Sequence, residues 1–226
     1  MNPAFPDSPD AAEGRVARRQ RRNREALIRA AGEVMASKGV DAATMLEIAE
    51  RADVGAGTVY NYFRSKDELA MAVLEELMHA LALRIDQATA GFADPAAIYA
   101  FGVRAVLENA ITDERWRHLL NRSEVIADAL FRRMGPFAIR DLRLAADAGR
   151  FPVTNAELLW QLTAHTLVGA ALAITTGRQP AAVVDAVIVR LLCMTGIGAN
   201  AALELSALPR PALPPAGKAR GAKRLR

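Results

Sequence analysis

The sequence predicts an all-α protein. Of its 226 residues 52% are apolar but only 5% are aromatic, and the abundant alanine, leucine and arginine favour helices. Apolar residues recur at spacings of three and four, which places them on one side of a helix. No stretch alternates apolar and polar residues in the way of a half-buried strand. We therefore expect helices from end to end, and the elements follow in order.

The amino-terminal part predicts a leader, a basic arm and one helix. Residues 1–14 contain Pro, Asp and Gly, and we expect a disordered leader there. The basic arm, residues 15–24, carries six arginines, among them Arg21 and Arg22. The first helix is predicted from about Arg22 to Lys38, where Gly39 can end it. Its buried face is formed by Leu27, Ala31, Val34 and Met35.

Two short helices joined by a tight turn are predicted after it. Thr44 with Glu47 three residues later is a capping box, which starts the first helix. The segment Asp53-Val54-Gly55 supplies the turn, because Asp tolerates the left-handed backbone conformation and Gly adopts it freely. In the second helix we expect Val59, Tyr60 and Phe63 to face inward.

This pair has two interpretations. It is either a generic helical hairpin in an all-α core or a helix-turn-helix, whose second helix enters the DNA major groove.

The remainder reads as helices to the end of the fold. Ser65 and Glu68 form a second capping box, which starts a long helix over 65–90. Asp, Gly and Pro then separate five further helices, at about 95–109, 113–122, 124–148, 154–176 and 180–203. The last two carry more apolar surface than one side can bury. Their small residues, such as Gly169, Gly196 and Gly198, permit close helix approach. Residues 209–226 predict a disordered basic tail.

A dense set of residues carries a resemblance to the TetR (tetracycline-repressor-type) family of transcriptional regulators: Thr44, Glu47-Ile48-Ala49, Gly57-Thr58-Val59-Tyr60, Tyr62-Phe63 and Ser65-Lys66-Asp67-Glu68-Leu69. The resemblance covers roughly residues 20–75, and beyond them it is one of architecture only. The chain departs from the family's pattern at Leu46, Asp53 and Gly55, where a polar residue, a Gly, and a Ser or Thr are usual.

The resemblance implies a homodimeric repressor that a small-molecule effector releases from a near-palindromic DNA operator. Because the sequence shows neither a signal-peptide pattern nor an apolar stretch of membrane-spanning length, we expect a soluble cytoplasmic protein. We expect a helix-turn-helix DNA-binding domain over residues 15–65, including the basic arm. Residues 66–208 would bind the effector and the partner chain, the last two helices forming a dimeric four-helix bundle. The alternative is a dimeric ligand-binding or scaffolding protein whose helix-turn-helix no longer reads DNA.

The second helix of the motif supplies the base-reading candidates. We expect Gly57, Thr58 and Asn61 to face the base edges. Asn61 suits a bidentate contact, for which adenine is the usual partner.

Phosphate contacts are expected around that helix. The resemblance implies them for Thr44, Tyr62 and Lys66, and helix N-termini and lysines do bind phosphate. Arg21 and Arg22 belong to the basic arm, which is either a solvated helix start or a further DNA contact, and we favour the second.

Candidates for an effector pocket lie in the second domain: Phe101, Trp116, His118, Phe131, Met134, Trp160 and His165. For each of them the alternative is an ordinary core position. Arg104 and Arg122 would favour an anionic effector if they point inward.

Enzyme chemistry is not expected. The three histidines, His79, His118 and His165, are about forty residues apart, and neither a metal-binding HExxH nor a G-x-S-x-G nucleophile motif occurs. We therefore expect no catalytic residue, no metal and no cofactor. The most apolar stretches fall short of the roughly 20 residues of a membrane span, so no membrane partner is expected.

Overall fold

The computed structural model describes residues 14–119 and 123–215. Within these residues the chain forms ten α-helices and one short 3-10 helix, which confirms the predicted all-α class. The chain divides into two compact units, Met1–Val73 and Leu74–Arg226. The predicted leader up to residue 13 and the end of the predicted tail, residues 216–226, lie outside the described residues.

The first unit begins with helix α1, Arg15–Lys38. Its predicted face, Leu27, Ala31, Val34 and Met35, is buried. Gly39 ends the helix with φ 83° and donates its N–H to the carbonyl of Met35. Because α1 starts at Arg15 rather than at Arg22, the basic arm is part of this helix; arginine favours helices and nothing between 15 and 24 interrupts one.

Helices α2, Met45–Arg51, and α3, Ala56–Tyr62, follow as a helix-turn-helix. The capping box is present, since the Glu47 N–H donates to Thr44 Oγ1 at 3.2 Å and the Thr44 N–H to Glu47 Oε2 at 3.1 Å. In the turn it is Asp53 that takes the left-handed conformation, with φ 55°. Gly55 has ordinary extended backbone and caps α3 without a side chain.

Helix α4, Lys66–Ala88, runs across the division between the two units. The Glu68 N–H donates to Ser65 Oγ at 3.1 Å, as a capping box requires. The reciprocal bond differs from the prediction, because Glu68 Oε2 accepts the N–H of Arg64, at 2.7 Å, and not that of Ser65.

The second unit contains the helices α5, Pro95–Thr112; α6, Glu114–Leu119; α7, Ser123–Asp147; α8, Ala156–Thr175; α9, Val184–Cys193; and α10, Ala199–Ser206. Helix α7 packs against α8, and both contact α5. Asp94 caps α5 by accepting the Ala96 N–H at 3.0 Å, and Asn155 caps α8 by accepting the Leu158 N–H at 2.9 Å. Helix α8 is long and apolar enough to cross a membrane by length and composition, yet core helices pass the same test and its buried side chains lie in this core.

The single helix predicted at 180–203 is wrong. A 3-10 turn, Ala181–Val183, precedes α9, and α9 and α10 are separated by a turn in which Gly196 has φ 92°. A Cβ built on Gly196 would lie 2.6 Å from Cγ of Pro152. Gly198 is the N-cap of α10. These glycines therefore make a turn, and Gly196 also lets Pro152 approach it.

A segment after α10, which we call the C-terminal strap (residues 209–215), has no regular secondary structure but is bonded to the helices. The Nε of Arg84 donates to the carbonyl of Pro214 at 2.6 Å, and Arg210 Nη1 donates to Glu108 Oε1 at 2.9 Å. This part of the chain differs from the expected disordered tail, because two arginine bonds hold it on α4 and α5.

Candidate nucleic-acid interface and effector cavity

The inner side of α3 fixes its orientation in the first unit. Val59 and Phe63, four residues apart, are buried as predicted. The guanidinium of Arg24 on α1 lies 5.3 Å from the centroid of the Phe63 ring, a cation–π contact that ties α1 to the end of α3. The opposite side of α3 is therefore presented outward.

That outward side is a stripe formed by Gly57, Tyr60 and Asn61, all exposed. The prediction that Tyr60 faces inward is wrong, since 59% of it is exposed. The spacing 57, 60, 61 (i, i+3, i+4) places Tyr60 on the same face as Gly57 and Asn61, and this signal was present in the sequence. Thr58 is half-buried beside the stripe.

The hydroxyl of Thr44 is already bonded within the cap of α2. It accepts the Glu47 N–H and lies 2.9 Å from Glu47 Oε2, to which it donates. Glu47 also forms an ion pair with Lys38. The hydrogen bond from Lys38 and those from Thr44 lower the pKa of Glu47. A phosphate contact by Thr44 would thus require its hydroxyl to turn away from this carboxylate.

Lys66 is positioned by the loop before α2. Its Nζ donates to the backbone carbonyl of Asp41 at 2.6 Å, and an ammonium has three donors, so two remain for a phosphate. Tyr62 is half-buried at the end of α3.

The basic arm forms an arginine-rich helical surface. Arg21 and Arg22 are exposed on the first turns of α1. Arg21 lies 3.9 Å from Glu25, but both side chains are more than half exposed, and such a pair contributes little. The roles of these residues in DNA binding stay predictions.

The second unit encloses a cavity of about 30 Å³ lined by residues of α4, α5, α7 and α8. This volume holds one or two water molecules. Most of the wall is apolar and aromatic, formed by Ile85, Val103, Val106, Met134, Phe137 and Trp160. Gly135 permits the close approach of Trp160, because a Cβ there would lie 3.3 Å from the indole Nε1.

One end of the cavity is charged. Arg140 Nη2 lies 2.8 Å from Asp86 Oδ1 and 2.7 Å from Asp141 Oδ1. Burial raises the pKa of Asp141, while the bonded Arg140 acts in the opposite direction. Nearby, the hydroxyl of Tyr99 bonds to Thr163 Oγ1 at 3.0 Å, and burial raises the pKa of this phenol. The cavity is thus an apolar space whose wall ends at the ion pairs of Arg140 with Asp86 and Asp141.

The predicted pocket residues are brought together only in part. Met134 and Trp160 line the cavity. Phe101 is buried against Phe92, their ring centroids 6.0 Å apart, and Trp116 is buried but does not line the cavity. Phe131 lines a surface groove on α7, and His165 is exposed on α8. His118 lies outside the residues whose side chains the structure describes.

The charged end of the cavity was not predicted from the sequence. Asp86, Arg140 and Asp141 lie on α4 and α7 and carried no motif. Arg104, considered for an anionic ligand, is buried, but it forms an ion pair with Asp185 at 2.6 Å and does not line the cavity.

Comparisons with known proteins agree with this arrangement. The family described as "Bacterial regulatory proteins, tetR family" matches residues 27–73. The family described as "Tetracyclin repressor-like, C-terminal domain" matches residues 94–207, half of the chain. The two matches cover the helix-turn-helix and helices α5 to α10.

Similar individual proteins are transcriptional regulators. The repressor KstR of Mycobacterium tuberculosis is 30% identical over 137 residues, which span 55% of this chain and 60% of KstR. A regulator of Haemophilus influenzae is 42% identical over 55 residues, 24% of this chain and 27% of that protein. The chain thus matches less than two thirds of the length of these curated relatives.

A solved structure matches much more of the chain. The crystal structure of RolR in complex with the ligand resorcinol has a TM-score of 0.78 and 29% identity, covering 88% of this chain and all of RolR. RolR without ligand has a TM-score of 0.74 over 84% of this chain. With both family descriptions matched in order along the sequence, the chain belongs to the tetR family of bacterial regulatory proteins.

Proposed function

We propose that this protein is a cytoplasmic, sequence-specific DNA-binding repressor that a small-molecule effector releases from its operator. The observation that carries the proposal is the exposed stripe of Gly57, Tyr60 and Asn61 on the second helix of a capped helix-turn-helix. Membership of the tetR family and the similarity to the repressor KstR support it.

The stripe is suited to the major groove. Asn61 carries the donor and acceptor that a bidentate contact with adenine needs, and Tyr60 offers a ring for thymine methyl groups and a hydroxyl for a phosphate. Gly57 presents no side chain, so the backbone of α3 can approach the bases. Lys66 and the arginines of the basic arm would hold the DNA backbone and fix the register of the helix.

A second copy of the chain would complete the DNA-binding unit, because a dimer presents two α3 helices to the operator. Helix α8 exposes a face on which Leu158 and Leu162 are each about half exposed, 51% and 49%. Gly169, on the same face, has nothing within 4 Å of a built Cβ and leaves room for a neighbouring helix. Pairing of this face and α9 with a partner would set two α3 helices about 34 Å apart, the spacing of successive major grooves on a near-palindromic site.

The effector cavity favours a small aromatic compound carrying hydroxyl groups. Trp160 and Phe137 provide aromatic walls, and a hydroxyl group at the edge of the cavity would bind Asp86 or Asp141 in place of one of their bonds to Arg140. RolR, which shares the fold at 29% identity, was crystallised with resorcinol, a compound of this class. The effector must bind the DNA-free state more tightly than the bound one, because otherwise it cannot shift the equilibrium.

Movement of α4 would connect effector binding in the cavity to the release of DNA. Ala82, Ile85 and Asp86 of α4 line the cavity, and the same helix begins at Lys66, next to the recognition helix in sequence. A ligand larger than the present 30 Å³ must displace part of this wall. Displacement of α4 would change the spacing of the recognition helices in the dimer.

The test is a fluorescence-anisotropy titration of operator DNA, selected from genomic fragments by the purified protein. We expect tight binding of the selected site, at least a hundredfold weaker binding of random DNA, and release on addition of resorcinol. The double variant Tyr60→Ala, Asn61→Ala should keep the fold and lose only the preference for the selected site. A protein that selects no sequence would refute the repressor proposal.

A further inference from the structure

The C-terminal strap is bonded to two of the four helices that line the effector cavity, α4 and α5. On α4, Arg84 directly precedes the cavity residue Ile85, and its Nε donates to the Pro214 carbonyl at 2.6 Å. On α5, Glu108 lies two residues after the cavity residue Val106 and accepts from Arg210 at 2.9 Å. The strap therefore links α4 to α5 beside the cavity wall.

The start of the strap is fixed as well. Arg104, only 5% exposed, pairs with Asp185 at 2.6 Å and with Glu108 at 3.4 Å. Its other terminal nitrogen donates to the Ser206 carbonyl, the last residue of α10, at 3.5 Å. The strap thus leaves α10 from a point anchored on α5 and ends in a bond to α4.

The composition of the strap makes it stiff. Its sequence is PRPALPP, so four of its seven residues are prolines. Each proline fixes one backbone torsion and lowers the number of conformations open to the unbound segment. The strap therefore loses little conformational entropy when it lies on the helices. It also has little freedom to extend if α4 and α5 move apart.

Enlarging the cavity would strain the connection that the strap makes between α4 and α5. The cavity measures about 30 Å³, whereas a cavity that binds benzene has a volume of roughly 150 Å³. A one-ring effector must therefore displace at least one of the four helices that line the cavity, and α4 is the lining helix that the strap bonds to α5. Separation of α4 from α5 would break the Arg84–Pro214 or the Arg210–Glu108 bond.

We propose that the C-terminal strap restrains cavity opening: it holds the Arg84 segment of α4 against α5 and so raises the effector concentration needed for release of DNA. The role in release rests on the proposed function, whereas the restraint of α4 rests on the strap's own contacts.

The test compares three chains: the full-length protein, a chain ending at Pro215, and a chain ending at Leu208. The matched control ending at Pro215 removes five basic residues but keeps the strap. Hydrogen exchange of the peptide covering residues 80–88 is measured without DNA or effector. We expect at least threefold faster exchange in the chain ending at Leu208 and unchanged exchange in the control. Equal exchange in all three chains, or equal loosening in both truncations, overturns the proposal.

Resorcinol then tests the functional consequence. We expect the chain ending at Leu208 to release the selected operator at a several-fold lower resorcinol concentration than the other two. If resorcinol releases none of the chains while exchange still depends on the strap, the proposed effector class fails and the restraint stands. If release is the same in all chains despite faster exchange, the restraint has no regulatory role and the proposal is overturned.

A single substitution covers the case in which the shorter chain does not fold. Arg210→Ala removes one strap bond and should speed exchange at residues 80–88 at least twofold. Arg143→Ala is the matched control, because it removes an exposed ion pair between α7 and α8, with Glu157. The same exchange in both variants as in the unaltered protein overturns the proposal.

Discussion

The turn between α9 and α10 gives a prediction whose size follows from the structure. Gly196→Ala places a methyl group 2.6 Å from Cγ of Pro152, a rigid ring that cannot rotate away. It also places an L side chain at φ 92°. The left-handed conformation costs about 1–2 kcal/mol, and overpacking a filled site costs about 1–3 kcal/mol.

The free energy of unfolding of the second unit should therefore fall by about 2–5 kcal/mol. For a unit of this size each kcal/mol lowers Tm by about 2–4 °C. The assay is urea and thermal unfolding followed by tryptophan fluorescence, since both tryptophans, Trp116 and Trp160, lie in this unit.

Gly149→Ala separates the two contributions. Gly149 has φ 67° but nothing within 4 Å of a built Cβ, so this variant should lose only the conformational part, about 1–2 kcal/mol. Gly91→Ala, with neither feature, should change stability by less than about 0.5 kcal/mol. If Gly196→Ala unfolds no more readily than Gly91→Ala, the turn described between α9 and α10 is incorrect.

Further predictions concern DNA binding and the cavity. Asn61→Ala should cost roughly 1–3 kcal/mol on the selected site and little on random DNA, by anisotropy, and equal losses would exclude base reading. Tyr60→Ala should weaken operator binding without changing Tm, because 59% of Tyr60 is exposed. A lowered Tm would indicate that Tyr60 packs in the core instead. Deletion of residues 1–21 should flatten the slope of log affinity against log salt, and an unchanged slope would make the arm a solvated helix. Because burial raises the pKa of Asp141, its ionised form is penalised in the folded state. Its contribution to stability should fall as pH rises from the usual Asp value of about 3.9 through the raised value. Asp141→Asn should remove that pH dependence in urea unfolding; persistence would place its cause elsewhere.

Features set by nearby residues were predictable from the sequence. The buried face of α1, its end at Gly39 and the capping box of α2 depend on residues within a few positions of each other. The orientation of Tyr60 was missed because α3 is only seven residues long, and its apolar residues fit more than one face. The exposed spacing of Gly57, Tyr60 and Asn61 resolves the choice.

Features set by distant residues were not predictable from pattern. The turn at Gly196 follows from the approach of Pro152, more than forty residues earlier. The charged end of the cavity joins Asp86 to Arg140, and the strap joins Arg84 to Pro214, 130 residues away. In a single sequence, the charged residues among these look like ordinary surface charges, and the glycine and prolines look like breaks between helices.

The central claim is that the exposed stripe of α3 reads a specific DNA site as part of a dimer. Footprinting on the DNA flanking the protein's own gene, with excess random competitor, tests it most directly. We expect a protected site of roughly two-fold symmetry, with half-sites one helical turn apart or a multiple of it, and we expect the double variant Tyr60→Ala, Asn61→Ala to leave that site unprotected. If that region and the genomic fragments selected by the protein both lose protection with competitor, the helix-turn-helix serves only as a scaffold and the claim is contradicted.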